Sequence, residues 1–394
     1  MRLALRLSVI FAMALGAAPP IGSATASEPQ FVGVEGAHFV LHGSRFNVAG
    51  INNHYLTYGS RAEVERVLDD AVAMGANVVR TFIQPVIGSL DGKRVRPIWD
   101  WRSKASSNDL GVGGAYVLYW DDRAGKMGIN DGPDGCLQRV DFLIAEAQKR
   151  RLRLILAFVD FWDYTGGIQQ MRAWYGSEDK NTFFFSDPRS RQDYRRFVAH
   201  VLLRRNTISG VIYRDDPTIF AWELANEPGI EPPDLMRSWI GDMVGFVKSI
   251  DPQHLVTSGR ANSQGEKTDF DVPELDFLTW HGYPVYERIS SDQFDPLITH
   301  YCSEARAHAK PVLMEEFGNA RTDGDQAAIY ARWLASIESD SNCAGWIVWR
   351  LVSRQDDGQY PVDEFDKFGI HNDGGSVWRA LQNAATRYDS FPAP

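Results

Sequence analysis

Apolar strand-like runs and amphipathic helical patterns alternate along the 394-residue sequence, and this alternation predicts an α/β fold, a (β/α)₈ TIM barrel. Eight strand-like runs occur, and no linker, low-complexity tract or internal repeat separates them. We therefore predict a single barrel domain over residues 27–394. A doubly wound open sheet is the alternative, but no glycine-rich phosphate loop follows the first predicted strand.

Residues 1–26 have the pattern of a secretory signal peptide. Arg2 and Arg6 provide a positive start, Leu7–Ala18 is an apolar run, and Ala24-Thr25-Ala26 is a cleavage site of small residues. A signal anchor is the alternative, but the apolar run is too short to span a bilayer. We expect the leader to be removed and the protein to be secreted or periplasmic.

The predicted elements follow in chain order. A small N-terminal hairpin is expected at Phe31–Val34 and His38–Leu41. The predicted barrel strands are Phe46–Asn52, Asn77–Ile83, Arg153–Val159, Thr218–Glu223, His254–Ser258, Asp276–Tyr283, Pro311–Phe317 and Gly345–Arg350. Apolar residues at three- and four-residue spacing predict helices that include Arg61–Met74, Leu137–Arg150, Arg189–Arg204 and Met236–Ser249. A long loop follows the second strand, between Gln84 and Cys136.

Net charge, cysteine content and the lack of metal-binding motifs indicate which partners, disulfides and cofactors to expect. The formal net charge is −10, and it becomes −12 without the leader, which disfavours nucleic acid but not neutral polysaccharides. The three cysteines predict one disulfide, Cys302 with Cys343, and three free thiols are the alternative. No metal-binding motif occurs, so we expect neither a metal nor another cofactor. We also expect a monomer that does not bind membranes.

Polar and aromatic residues follow the apolar runs at the carboxyl ends of the predicted strands, where barrel active sites lie. They are Asn52, Arg80, Asp160, Asn226, Glu227, His281, Tyr283, Glu316 and Trp349. Glu227 and Glu316 stand 89 positions apart, and each closes an apolar strand. Glycoside hydrolysis needs such a pair, one carboxylic acid for the leaving oxygen and one carboxylate for C1 or for water. The alternative is a buried salt bridge of either glutamate with Arg80.

Each companion residue has a physical role in this interpretation. Arg80 would keep Glu316 ionised, and neighbouring negative charge would raise the pKa of Glu227. Asn226 could bind the sugar 2-hydroxyl. His281 and Tyr283 are two positions apart on one strand and therefore share a face. Further expectations are that Trp349 offers a flat surface to a sugar ring and that Glu223 is a buried structural acid. Strand alternation leaves open whether Glu315 or Glu316 faces the site.

These residues resemble glycoside hydrolase family 5, a clan A family of retaining enzymes on a (β/α)₈ barrel. Its acid/base lies in Asn-Glu-Pro, similar to Asn226-Glu227-Pro228, and its nucleophile precedes an aromatic-Gly pair, similar to Glu316 before Phe317-Gly318. The resemblance therefore assigns the acid/base to Glu227 and the nucleophile to Glu316 rather than Glu315. The family's other site residues fall, by the same resemblance, on Arg80, His281, Tyr283 and Trp349.

The flanking sequence resembles the β-1,4-mannanases of this family. The similar stretches are Phe31–Gly43, Leu154–Gly167, Asn206–Leu224 and Thr268–Phe270. Trp162, in the second stretch, is also expected to bind substrate. The expected substrate-binding residues are thus Arg80, Asn226, His281, Tyr283, Trp349, Asn52, Asp160 and Trp162. The resemblance implies a secreted, metal-free, retaining enzyme that cleaves mannan, glucomannan or galactomannan. The alternatives are an exo-acting mannosidase, a β-1,4-glucanase with the same glutamate pair, and a non-catalytic carbohydrate-binding barrel.

Two departures from the mannanase pattern affect these expectations. The pattern has an Asn pair after the third strand, where this chain has Asp160-Phe161, so one substrate contact differs. The long loop after the second strand carries the aromatic residues Trp99, Trp101, Tyr116, Tyr119 and Trp120, which suggests an ordered wall at one end of the cleft. A wall that closes the cleft would give exo action, and one that lines it, the favoured case, would give endo action.

Overall fold

A computed structural model describes residues 31–99, 115–132, 135–229, 232–361 and 367–389. The predicted signal peptide lies outside these ranges, as does Trp101. Eight parallel strands form the central sheet, and they are numbered first to eighth along the chain. They span Val48–Asn52, Val78–Phe82, Arg153–Ala157, Ile219–Glu223, Leu255–Thr257, Leu278–Gly282, Val312–Phe317 and Gly345–Val348.

The sheet curls into a barrel. Its hydrogen-bonded order runs from the fifth strand back to the first, and then from the eighth to the sixth. Backbone hydrogen bonds also bridge the fifth and sixth strand regions, from Asp276 N–H to the Val256 carbonyl (3.0 Å) and from His281 N–H to the Ala261 carbonyl (2.7 Å). The predicted (β/α)₈ barrel is confirmed, and each predicted strand overlaps an observed one.

Helices cover the outside of the barrel. They span Arg61–Met74, Cys136–Lys149, Gly167–Trp174, Phe183–Ser186, Pro188–Leu202, Pro233–Ile250, Pro284–Glu287, Asp295–His308, Gln326–Ser339 and Ser376–Asp389. The first helix shows that local capping residues mark the helix ends, which is why the sequence could locate this helix. The Ser60 side chain accepts from the Glu63 N–H and the Glu63 side chain accepts from the Ser60 N–H, a capping box, and Gly75 ends the helix at φ +87°.

A small antiparallel sheet closes the amino end of the barrel. It comprises Gly33–Glu35, His38–Leu41 and Ser44–Arg45, so the predicted hairpin gains a third strand. Phe39 lies edge-on against Phe220 and Phe277, with ring centroids 5.0 and 5.2 Å away. Because this apolar cluster fills the floor, the carboxyl ends of the strands remain as the open end of the barrel.

The long loop after the second strand has its own structure. Three short strands, Val86–Ser89, Leu118–Asp121 and Lys126–Ile129, form a third sheet. Trp120 packs beside Trp174 of a neighbouring helix, at a centroid distance of 6.3 Å. The described aromatic residues of this loop therefore contribute to the packing of a small subdomain.

The disulfide prediction is confirmed. Cys302 and Cys343 are bonded and join the helix Asp295–His308 to the turn before the eighth strand. Cys136 is a buried free thiol, and burial raises its pKa. Among the described residues, no helix combines the length and apolarity needed to cross a membrane.

Candidate active site

A cleft of about 530 Å³ opens at the carboxyl end of the barrel. Loops after most of the strands line it. The sequence-predicted residues among its lining are Asp160, Trp162, Asn226, Glu227, His281, Tyr283, Glu316 and Trp349. One carboxylate oxygen of Glu227 and one of Glu316 lie within 4.8 Å of each other. The structure thus brings the two predicted glutamates together across a gap of roughly sugar size.

Arg80 lies beneath this cleft, fully buried, and its guanidinium organises the site. It donates two 2.7 Å hydrogen bonds to Glu223, one of 2.6 Å to Glu316 Oε1, and one of 2.7 Å to Asn226 Oδ1. It also donates to Asn52 Oδ1 at 2.9 Å. Arg80 and Asn52 are buried and do not line the cleft, and these hydrogen bonds are made inside the protein; substrate binding by either residue stays a prediction.

A salt bridge with Arg80 is the alternative, predicted from the sequence, to a catalytic role for the glutamates. Glu316 both pairs with Arg80 and lines the cleft. Glu223 is fully buried and forms a two-point ion pair with Arg80, as expected of a structural acid. Burial raises the pKa of Glu223 to about 8, although Arg80 acts in the opposite direction. Glu315 is also buried, 3.5 Å from Arg80 Nε, and does not line the cleft.

Glu316 is held at both carboxylate oxygens. Arg80 donates to Oε1, and the Tyr283 hydroxyl donates to Oε2, each at 2.6 Å. The strand register shifts between Trp280/His281 and Met314/Glu316, so Glu315 is an extra residue. Such a bulge breaks strict alternation, which explains how adjacent glutamates both approach Arg80. Burial raises the pKa of Glu316, while His281 and Arg80 act in the opposite direction, so Arg80 favours the ionised form as expected.

Glu227 follows the fourth strand and reaches the cleft from an unusual backbone conformation, with φ +47°. Residues held in this region commonly lie at functional sites. His281 Nδ1 lies 2.7 Å from its Oε1, and the Trp162 indole donates to Oε2 at 2.6 Å. Burial raises its pKa, but these hydrogen bonds and the charge of His281 outweigh it, so the pKa is lowered. The prediction of a raised pKa is wrong for the free protein.

His281 connects the acidic groups. Its Nδ1 faces Glu227 and lies 3.5 Å from Glu316 Oε2, while Nε2 lies 3.4 Å from Glu315. Burial lowers its pKa, but the surrounding carboxylates raise it to about 10. Both ring nitrogens of His281 therefore face carboxylates, and the imidazole links Glu227, Glu315 and Glu316 in one network.

Three further predicted residues line the cleft. Trp349 is half-buried and stacks near Phe82, with centroids 6.2 Å apart. Trp162 is 43% exposed at the cleft rim, so its ring presents apolar surface while its N–H holds Glu227. Asn226 lines the cleft with its amide fixed between Arg80 and Asp160.

Sequence reasoning missed several cleft residues. They are His54, Phe82, Gln84, Phe161, Tyr164, Thr165, Arg260, Asn262, Glu266, Tyr286, Glu287 and Phe368. Phe82 is the last residue of the second strand, and His54, Arg260 and Asn262 lie two to five residues after a strand end, so the strand-end rule could have found them. None of the described residues at 86–99 and 115–132 lines the cleft, so the predicted aromatic wall is wrong for that part of the loop.

Comparison with known proteins places this site in a family. A model described as "GH family 5 beta-mannosidase-like" matches residues 125–341, more than half of the chain. The chain belongs to glycoside hydrolase family 5. Membership confirms the resemblance found in the motifs and makes the chain a hydrolase of the mannanase type.

Relatives of this family 5 hydrolase cover most of its length. A protein of Oryza sativa subsp. japonica, named among the mannan endo-1,4-beta-mannosidases, is 33% identical over 84% of each chain. Mannan endo-1,4-beta-mannosidase A of Podospora anserina is 27% identical, over 88% of this chain and 86% of its own. The endo-1,4-beta-mannanase structure from Rhizomucor miehei has a TM-score of 0.77 at 26% identity, over 92% of this chain and 100% of its own.

Proposed function

We propose that this family 5 hydrolase is a retaining endo-β-mannanase that cleaves β-1,4-mannosidic bonds in mannan, glucomannan or galactomannan. The observation that carries the proposal is that one carboxylate oxygen of Glu227 and one of Glu316 lie within 4.8 Å of each other at the mouth of the barrel. Retaining enzymes hold their carboxyl groups about 5–5.5 Å apart, whereas inverting enzymes need about 6.5–9.5 Å to admit a water molecule.

In the first step, Glu316 attacks C1 of the sugar while Glu227 protonates the departing glycosidic oxygen. Arg80 and Tyr283 fix both oxygens of Glu316, which limits its freedom and directs the attacking lone pair. The proton needs a source, because Glu227 has a lowered pKa in the free protein. His281 Nδ1 lies 2.7 Å from Glu227 Oε1 and is the group positioned to exchange a proton with it.

In the second step, water enters where the leaving group stood. Glu227, now a carboxylate, removes a proton from this water as its oxygen attacks C1 and releases Glu316. The proton can return to His281, which restores the starting state. Two inversions at C1 leave the product with the β configuration of the substrate.

The choice of mannan rests on the names of the relatives. The Oryza and Podospora proteins are named for endo-1,4-β action on mannan, as is the mannanase from Rhizomucor miehei. The exposed Trp162 and the half-buried Trp349 support a carbohydrate ligand, because flat apolar faces and nearby polar groups suit sugar rings.

The expected products on mannohexaose are mannobiose and mannotriose at early times, with retained β configuration by NMR. Chromatography of early time points tests endo action, and mannose alone would show exo action instead. Reducing-sugar release from mannan, glucomannan and carboxymethylcellulose should be greatest on the first two. Faster release from carboxymethylcellulose would indicate a glucanase, and binding without release would indicate a carbohydrate-binding barrel.

We also propose secretion through the leader at residues 1–26. The disulfide between Cys302 and Cys343 supports it, because such bonds persist in oxidising compartments. Expression of the full chain in a secreting bacterial host should give an extracytoplasmic protein whose N-terminal sequence starts near Ser27. An intact Met1 terminus in the cytoplasm would contradict the proposal.

A further inference from the structure

Asp160 is a further carboxyl group of the cleft, and the mechanism above does not use it. It follows the third strand, lines the cleft, and is only 4% exposed. Its Oδ1 accepts two hydrogen bonds, from Asn226 Nδ2 at 2.9 Å and from the Trp162 backbone N–H at 3.2 Å. Its Oδ2 accepts none from the residues that the structure describes. Oδ2 is therefore the atom with hydrogen-bonding capacity left for a ligand in the cleft.

The surroundings of Asp160 favour its neutral form. Burial raises its pKa to about 7, against the two hydrogen bonds to Oδ1, and the charges of Glu227 and Glu316 raise it further. A proton on the group belongs on Oδ2, because Oδ1 already accepts two N–H donors. The neutral side chain then has the same pattern as an asparagine, with an acceptor toward the protein and a donor toward the cleft.

We propose that Asp160 donates a hydrogen bond from Oδ2 to a hydroxyl of the sugar bound beside Glu227, and that productive binding is lost when this carboxyl ionises. The inference rests on the proposed function, since it places a sugar next to Glu227. Asp160 also holds Asn226 and the Trp162 backbone, and the Trp162 indole in turn donates to Glu227. The protonation state of Asp160 therefore affects both the hydrogen bond to the bound sugar and the position of the acid/base Glu227.

Ionisation of Asp160 would have two consequences, and both would weaken productive binding of the sugar. Oδ2 would change from a donor to an acceptor, and a further negative charge would stand near two carboxylates. The charged and titratable groups that surround Asp160 are Glu227, Glu316, Tyr58 and Tyr164, with Arg80 and His281 one contact further away. Arg80 and His281 already bind Asn226 and the glutamates, so neither cation reaches Asp160 directly.

The test compares the wild-type enzyme with Asp160→Asn, which keeps the shape and a permanent N–H donor but cannot ionise. The pH at which kcat/KM on mannan falls to half of its maximum on the alkaline side should rise by at least about one unit in the variant. Asp163→Asn removes an exposed carboxyl from the same loop and is the matched control, with an unchanged alkaline half-maximum.

A second measurement needs no substrate. A proton held with a folded pKa of about 7, above the ordinary 3.8, stabilises the fold fully below pH 4, and this stability is lost as the pH rises through 7. The melting temperature of the wild type should thus fall relative to Asp160→Asn between pH 4 and 7.5, by at least about 4 °C. If the asparagine variant does not fold, Asp160→Ser, a smaller hydroxyl donor, repeats the comparison.

A constant difference in melting temperature across this range, or equal alkaline half-maxima, would overturn the inference. If the wild type does not cleave mannan at all, the proposed function fails. The melting comparison still decides in that case whether Asp160 holds a proton, so the two failures can be told apart.

Discussion

Glu316→Ala is expected to lower kcat/KM on mannan by at least about 10⁴-fold, because the variant lacks the carboxylate that forms the glycosyl-enzyme bond. Arg80 holds Glu316 Oε1 at 2.6 Å and the Tyr283 hydroxyl holds Oε2 at 2.6 Å. Glu316→Gln keeps the size of the side chain and should be as inactive. Circular dichroism and melting temperature of both variants serve as controls for folding.

Azide separates the role of Glu316 from that of Glu227. In Glu316→Ala, azide can enter the vacated space and displace the leaving group from that face, which inverts C1 and gives the α-mannosyl azide. In Glu227→Ala, an activated aryl β-mannoside still forms the intermediate on Glu316, and azide then gives the β product. Near-normal turnover of Glu316→Ala, or a β azide from it, would refute the assigned nucleophile.

The fold and the catalytic pair could be predicted because their signals are local. Apolar runs fix the strands, caps such as Ser60 with Glu63 fix helix ends, and Glu227 and Glu316 stand next to strand ends. Parallel strands in a barrel bring their carboxyl ends together, so two glutamates far apart in sequence can be predicted to meet.

The remaining features of the site depend on contacts that no local pattern specifies. Whether Glu315 or Glu316 faces the cleft is decided by a bulge against the sixth strand, which strand alternation cannot reveal. The lowered pKa of Glu227 arises from His281, which lies 54 positions away and is 2.7 Å distant in space. Phe368 lines the cleft from a segment beyond the last barrel strand, so the strand-end rule does not reach it.

The same distinction applies to Arg80. The sequence predicted its position and its closeness to Glu316, but not its ion pairs with Glu223 and Glu315. A strand-end arginine could equally bind a substrate, yet this one neutralises buried acids. Glu223, Glu315 and Glu316 all lie within ion-pair distance of its guanidinium. Arg80 is therefore a positioning residue for Glu316 and a structural cation for the barrel interior.

Arg80→Met should consequently lower the free energy of unfolding by about 3–5 kcal/mol at neutral pH, since removal of one partner leaves buried charges uncompensated. Methionine has a similar length but no charge, so packing changes little. The pKa values of Glu223 and Glu316 already lie above their ordinary values, and loss of the cation raises them further. Groups with raised folded pKa values contribute stability at low pH that is lost as the pH rises.

The destabilisation by Arg80→Met should therefore be greater at pH 8 than at pH 5, as measured by urea unfolding at both. Arg66→Met is the matched control, because Arg66 pairs with Asp356 at 2.6 Å on the exposed surface and its loss should cost less than about 1 kcal/mol at either pH. Arg80→Lys keeps the charge but has fewer hydrogen-bond donors, so its loss of unfolding free energy should be smaller than that of Arg80→Met. Equal losses of unfolding free energy in Arg80→Met and Arg66→Met, or a loss in Arg80→Met that does not depend on pH, would show that Arg80 does not balance the buried acids.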